Sequence, residues 1–186
     1  MTVVVGVRKK GRTVLAADSL VNFGGQRFGV DNCQFHKIVR VGDSLMAWAG
    51  WSLYAEYLTA YLKTEQAAPP LGTEEEIFRF FVGFWRAARR EYTMTERGMG
   101  RDHPFADLES TFILANKAGL YRVSGDMDVT QFKRYTAAGS GSKYSLGALE
   151  VLYEQDGSAE EVARRAVQVG INCDVYCGGT IDIEVV

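Results

Sequence analysis

The sequence predicts an α+β fold, two antiparallel sheets packed face to face with helices outside, and three observations predict it. β-Branched and apolar runs crowd the first fifty residues, helix-period stretches come in two pairs, and strand patterns return between and after those pairs. The order is strands, two helices, strands, two helices, strand, without the one-by-one alternation of βαβ winding.

Thr2 to Arg8 is β-branched and apolar, Lys9-Lys10-Gly11-Arg12 breaks the run, and Thr13 to Ala17 resumes it, which predicts a hairpin. After a glycine-containing stretch at Gly24-Gly25, Lys37 to Val41 and Ser44 to Ala49 read as strands joined by a Gly42-Asp43 turn. The period then changes. Leu53, Tyr54, Tyr57, Leu58, Tyr61 and Leu62 recur at i, i+3, i+4 as one buried face of a helix, which Ala68-Pro69-Pro70 ends. Thr73 and Glu76 stand in capping-box spacing and open a second helix with the stripe Ile77, Phe80, Phe81, Phe84, Trp85 and Ala88. Arg97 to Asp107 reads as a loop. Thr111 to Ala115 and Leu120 to Val123 form a hairpin around Asn116-Lys117-Ala118-Gly119, and Thr136 to Ala138 is a short strand. Tyr144, Ala148, Leu149 and Leu152 resume helical spacing. Ser158 and Glu161 repeat the capping signature before Val162, Ala163, Ala166, Val167 and Ile171, and Gly178-Gly179 launches a last strand over Thr180 to Val186.

With 186 residues, 47% of them hydrophobic, one domain with a sizeable core is expected across 1–186. The 21 Lys and Arg against 23 Asp and Glu leave a formal charge of −2, too balanced to point to nucleic acid or an anionic membrane. No basic stretch leads into an apolar core near Met1 and no run approaches bilayer length, so a cytoplasmic protein without a secretory leader is expected. Cys33, Cys173 and Cys177 are odd in number and stand beside no zinc-type ligand spacing, which leaves reduced thiols.

Familiar catalytic patterns are missing. His36 and His103 accompany no Ser or Cys motif, and Gly139-Ser140-Gly141-Ser142 lacks the spacing and Lys of a phosphate loop. Thr2 offers another route. Once Met1 is removed it carries its own base, because a free α-amino group with a pKa of about 7.7 to 8.0 lies beside the hydroxyl.

Separated motifs then accumulate. Thr2-Val3-Val4-Val5-Gly6-Val7, Val14-Leu15-Ala16-Ala17-Asp18-Ser19, Lys37-Ile38, Ala47-Trp48-Ala49-Gly50, Gly139-Ser140-Gly141-Ser142 and Asp174-Val175-Tyr176-Cys177-Gly178-Gly179 stand in this order. Together they resemble the proteasome β-subunit family of threonine peptidases, which includes bacterial HslV, over nearly the whole chain. The resemblance implies the N-terminal-nucleophile hydrolase fold, a four-layer αββα sandwich. It also implies a catalytic set of Thr2, Asp18, Lys37, Gly50, Ser140, Asp174 and, where most members have serine, Cys177.

In that set Lys37 as an ammonium lowers the pKa of groups beside Thr2, Asp18 balances it, and the Gly50 N–H meets the developing oxyanion. Ser140 and Asp174 are expected to hydrogen-bond around the Thr2 amine and hydroxyl. Val21 and Trp48 fall in the substrate pocket, and a bulky Trp48 ring predicts a shallow one suited to small or modest apolar side chains. The resemblance further implies no cofactor, self-association into stacked rings, peptide or unfolded protein substrates and an ATP-dependent unfoldase as partner. The aromatic helix stripe with Phe105 and Met99 is a candidate for contacts between protomers. Two other readings stay open: a ring-forming scaffold without turnover, and a small-molecule amidohydrolase on the same fold.

Overall fold

Alternating valines give the first strand two apolar faces, and a strand with two apolar faces belongs between layers. The computed structural model describes residues 2–33, 35–64, 68–91, 108 and 110–186. It places β1 (Val3–Lys9) and β2 (Arg12–Asp18) in a hairpin whose turn residues Lys10 and Gly11 have φ of 51° and 78°. That is the left-handed pair a tight hairpin needs, and glycine supplies it without strain. Then follow β3 (Val21–Phe23), β4 (Gln26–Phe28), β5 (Ile38–Val41), β6 (Ser44–Gly50), α1 (Leu53–Thr64) and α2 (Glu74–Glu91). The second half runs β7 (Ser110–Ala115), β8 (Leu120–Val123), β9 (Val129–Phe132), β10 (Tyr135–Gly139), α3 (Ser142–Leu152), α4 (Ala159–Cys173) and β11 (Ile181–Val185).

One sheet has the order β10-β1-β2-β11, the other β5-β6-β7-β8-β9, and every pairing is antiparallel. Three buried clusters fill the three spaces between four layers. Val3, Val5 and Val7 pack with Leu149 of α3 and with Val162, Ala166 and Val167 of α4. On the other face Val4 and Leu15 meet Leu45, Ala47 and Ile113 between the sheets. A Cβ on Gly6 would lie 2.5 Å from Leu120 Cδ1, so glycine sets how closely the sheets approach there. Beyond the second sheet, Met46, Trp48, Phe112 and Leu114 pack with Tyr54, Leu58, Phe81 and Phe84 of α1 and α2. The arrangement is the αββα sandwich.

Both capping signals act. Thr73 and Glu76 exchange backbone-to-side-chain hydrogen bonds at 3.0 and 3.2 Å, and the Ser158 hydroxyl accepts the Glu161 N–H at 3.1 Å. The stripe of α2 is spent on the core: Ile77, Phe80, Phe81, Phe84 and Ala88 are buried, while half-buried Trp85 lies under the Arg89 guanidinium, 4.7 Å from its ring centroid. The buried part of the stripe therefore packs within the chain, and only Trp85 of the stripe keeps a partly open face. Met1, Met99, His103, Phe105 and the Arg97 to Asp107 loop lie outside the described residues.

Three strands were not foreseen. The Gly24-Gly25 stretch is the tip of the β3–β4 hairpin, and β9 extends the second sheet past β8. These segments have three or four residues each and are mostly exposed or half-buried, so their hydrophobic alternation is too short to register.

Candidate active site

Strand order brings the N-terminus to the middle of the first sheet. Because β1 pairs with β2 on one side and β10 on the other, Thr2 stands between the end of β2 at Asp18 and the Gly139-Ser140 corner that ends β10. Thr2 is 4% exposed, Asp18 0% and Lys37 4%. Asp18 is the hub. Its Oδ1 accepts the Thr2 hydroxyl, the Val3 N–H at 2.9 Å and the Lys37 ammonium at 2.8 Å, and its Oδ2 accepts the Gly178 N–H at 3.0 Å.

Lys37 directly precedes β5 and also donates to the Leu20 carbonyl at 2.8 Å. Burial holds its pKa below the usual lysine value, and the Asp18 carboxylate offsets part of that effect. An ion pair this deep persists because four donors and a second acceptor compensate for lost water.

The corner after β10 holds the Thr2 backbone. Gly139 has φ +97°, and a Cβ there would fall 2.1 Å from the Thr2 carbonyl oxygen. The Gly141 N–H and Ser140 hydroxyl approach that same oxygen at 3.4 and 3.5 Å. Ser140 thus meets Thr2 through its carbonyl. The Cys177 thiol lies 3.9 Å from Ser140 Oγ, 2% exposed, its pKa pushed up to about 11 by burial and then by the Asp18 and Asp174 charges. A thiol so held stays protonated near neutrality and is a poor nucleophile.

Asp174 departs from expectation. Its carboxylate accepts the Tyr176 N–H at 2.8 Å, an Asx-type turn closed by the Cys177 N–H on the Asp174 carbonyl at 3.0 Å, and it makes no hydrogen bond to Thr2. Ser19 docks the far end of the same turn, accepting from Thr180 N at 2.8 Å, with Gly179 at φ +76° where a Cβ would sit 2.4 Å from Ser19 Oγ.

Thr2, Gly139 and Ser140 share one open cleft of about 950 Å³ with Val21 of β3 and with Lys37, Trp48 and Gly50 from the second sheet's side. Gly50 ends β6 at φ 146°, beyond the reach of an ordinary side chain. Trp48 is 4% exposed and turns its ring into the α1–α2 layer, edge-on to Phe35 at 6.2 Å, so it forms wall more than floor. Sequence reasoning missed Gly178 N–H, the Leu20 carbonyl and Gly139. The first two are backbone groups that residue identity does not reveal, while Gly139 lay within the noted Gly-Ser-Gly corner. Among the described residues no group of three or more His, Cys, Asp or Glu is placed to hold a metal, and no helix is long and apolar enough to cross a membrane.

The family described as Proteasome subunit matches residues 2–186. The ATP-dependent protease subunits HslV of Caulobacter sp. strain K31 and of Caulobacter vibrioides are each 29% identical over 191 residues, covering 98% of this chain and 92% of theirs. Among solved structures, Thiobacillus denitrificans BPH superposes with a TM-score of 0.92 at 30% identity, covering 99% of this chain and 97% of that one. The same protein in complex with epoxomicin gives 0.92 at 29%, with the same coverage. HslV from Trypanosoma brucei gives 0.67 at 25%, over 98% of both chains.

Proposed function

The chain belongs to the proteasome subunit family as an HslV-like protease subunit, and from that premise we propose that Thr2, freed by removal of Met1, is the nucleophile of a self-compartmentalising endopeptidase. One observation carries the reading: the Thr2 hydroxyl, the Asp18 carboxylate and the Lys37 ammonium form a buried hydrogen-bonded relay that borders an open cleft. A structural threonine needs no ammonium behind its partner.

The Thr2 amine takes the hydroxyl proton as Oγ1 attacks the peptide carbonyl carbon. The C–N bond then breaks, the leaving amine receives that proton, and an ester to Thr2 remains for water to hydrolyse. Lys37 stays an ammonium and favours the deprotonated oxygen and the neutral amine; Asp18 fixes the hydroxyl and the ammonium together. Gly50 N–H donates to the tetrahedral oxyanion, a contact typically worth about 3 to 4 kcal/mol. Ser140 orients the Thr2 backbone, Cys177 fills the space behind Ser140, and Asp174 fixes the turn that delivers Gly178 N–H to Asp18.

Substrates are extended peptides or unfolded chains, which an open cleft beside Thr2 admits. Val21 and Trp48 border the side chain before the scissile bond, and the fixed Trp48 ring disfavours large ones. Stacked rings of this chain fed by an ATP-dependent unfoldase are the expected setting, in keeping with the HslV relatives' description as ATP-dependent protease subunits.

Hydrolysis of fluorogenic peptides tests the reading, with the N-terminal residue determined on the same sample. Chains that begin at Thr2 and cleave, while Thr2→Ala does not, support it. Cleavage undiminished in Thr2→Ala overturns it.

A further inference from the structure

Ser110 opens β7 directly across from Gly50, its register partner, and lines the same cleft. Strand alternation puts it on the face shared by Phe112 and Leu114, which is the face Trp48 uses, and away from Ile113 between the sheets. The residue is only 5% exposed, and its hydroxyl has no hydrogen-bond partner among the described residues. Buried hydroxyls are nearly always paired, because a sealed polar atom loses its water without replacement. Two other buried serines obey the rule: Ser145 donates to the Ala166 carbonyl at 2.8 Å, and Ser44 accepts from Asn116 at 3.3 Å. Ser110 breaks it at the cleft wall.

We propose that Ser110 is a specificity-determining residue whose hydroxyl is completed by the substrate, by a side chain with a hydrogen-bonding tip that enters beside Gly50 and Trp48. The inference rests on the Thr2 reading and refines its substrate class, from small apolar side chains to short polar ones such as an amide. The rest of the pocket supports this class. Val21 and Trp48 supply apolar contact, Lys37 is already committed to Asp18 and Leu20, and Ser110 is an unmet, fully buried polar group in the wall among the described residues. A site with an unpaired hydroxyl penalises an apolar occupant that leaves it unpaired, and favours a near-isostere that pairs it. Because the hydroxyl is sealed from solvent, an incoming side chain must displace part of the wall to meet it.

The test uses two fluorogenic peptides that differ only in Asn or Leu before the scissile bond, near-isosteres of opposite polarity, on the assembled wild type, Ser110→Ala, Ser110→Cys and Thr2→Ala. Ser110→Ala is expected to lower kcat/KM for the Asn peptide about tenfold relative to the Leu peptide. Ser110→Cys, close in shape but a weak donor, falls between them. Deleting an unpaired buried hydroxyl also raises Tm, by about 2–4 °C for a chain of this size. An unchanged Asn-to-Leu ratio, with turnover still abolished by Thr2→Ala, overturns the Ser110 assignment alone. A Tm lowered in Ser110→Ala overturns it too, since it would reveal a partner in the resting protein. Turnover that survives Thr2→Ala removes the reading on which the inference stands.

Discussion

The two banks of the cleft are built on opposite principles. On the Thr2 bank, where β1, β2 and β10 meet the start of β5, the polar groups are paired: Asp18 takes four donors, Lys37 gives to two acceptors, and the Thr2 carbonyl is met by the Gly139–Gly141 corner. On the β6–β7 bank Gly50 carries no side chain and Ser110 carries an unpaired one. The first bank is preorganised, so that charge positions cost nothing at the moment of reaction. The second is left incomplete, so that a substrate completes it. Rigidity and recognition are thus assigned to different ends of the cleft, the rigid end bridging both sheets through the Lys37–Asp18 pair.

The strongest way to break the first bank is to empty its hub. Asp18→Ala leaves the Lys37 ammonium buried without its counter-charge, and is expected to cost about 3 to 5 kcal/mol in urea unfolding and to abolish turnover. The double variant Asp18→Leu/Lys37→Met, which removes both charges, is expected to recover most of that stability and none of the activity. If it recovers activity as well, the pair is structural.

A smaller effect separates a strained glycine from a free one. Gly139→Ala places a methyl against the Thr2 carbonyl at φ +97° and is expected to cost about 2 kcal/mol and slow every reaction of Thr2. Gly147→Ala, on the exposed face of α3 with nothing within 4 Å, is expected to stabilise by about 0.5–1 kcal/mol with activity unchanged. Denaturant midpoints and peptide turnover of the two variants, side by side, check the opposite signs.

The finest probe is pH. Lys37 has its pKa lowered by burial, so the folded chain releases this proton before the unfolded one, and its contribution to stability rises as pH climbs from the folded value to 10.5. Turnover that needs the ammonium falls over that same window. Cys177 acts oppositely: raised from 9.0 to about 11, it contributes stability that is whole below pH 9.0 and lost as pH approaches 11. Relative to wild type, Cys177→Ala should therefore hold a constant stability difference up to pH 9 and gain stability beyond it. Urea midpoints across pH 7 to about 11 read the change.

Legibility in the sequence follows the same division. The long apolar runs of β1, β2, β6 and β7 and both capped helices declare themselves, because their apolar periods extend over two or more repeats. The β3–β4 hairpin and β9 do not, being three- and four-residue pieces with little buried surface. Within the site, Thr2, Asp18 and Lys37 lie far apart along the chain, and residue identity alone gives no reason for them to meet; family motifs supplied the grouping and the strand register supplies the cause. Asp174 shows the limit of motif reasoning, since its carboxylate closes its own turn. Ser110 belongs to no motif, and only a full account of buried donors exposes it.

Intact-mass analysis after incubation with a peptide epoxyketone tests the central claim most directly, because this reagent captures the amine and the hydroxyl of one N-terminal threonine together. The expected result is chains lacking Met1 with one adduct each, none in Thr2→Ala, and slower labelling in Gly139→Ala. Chains that keep Met1 in the assembled protein and take no adduct would contradict it.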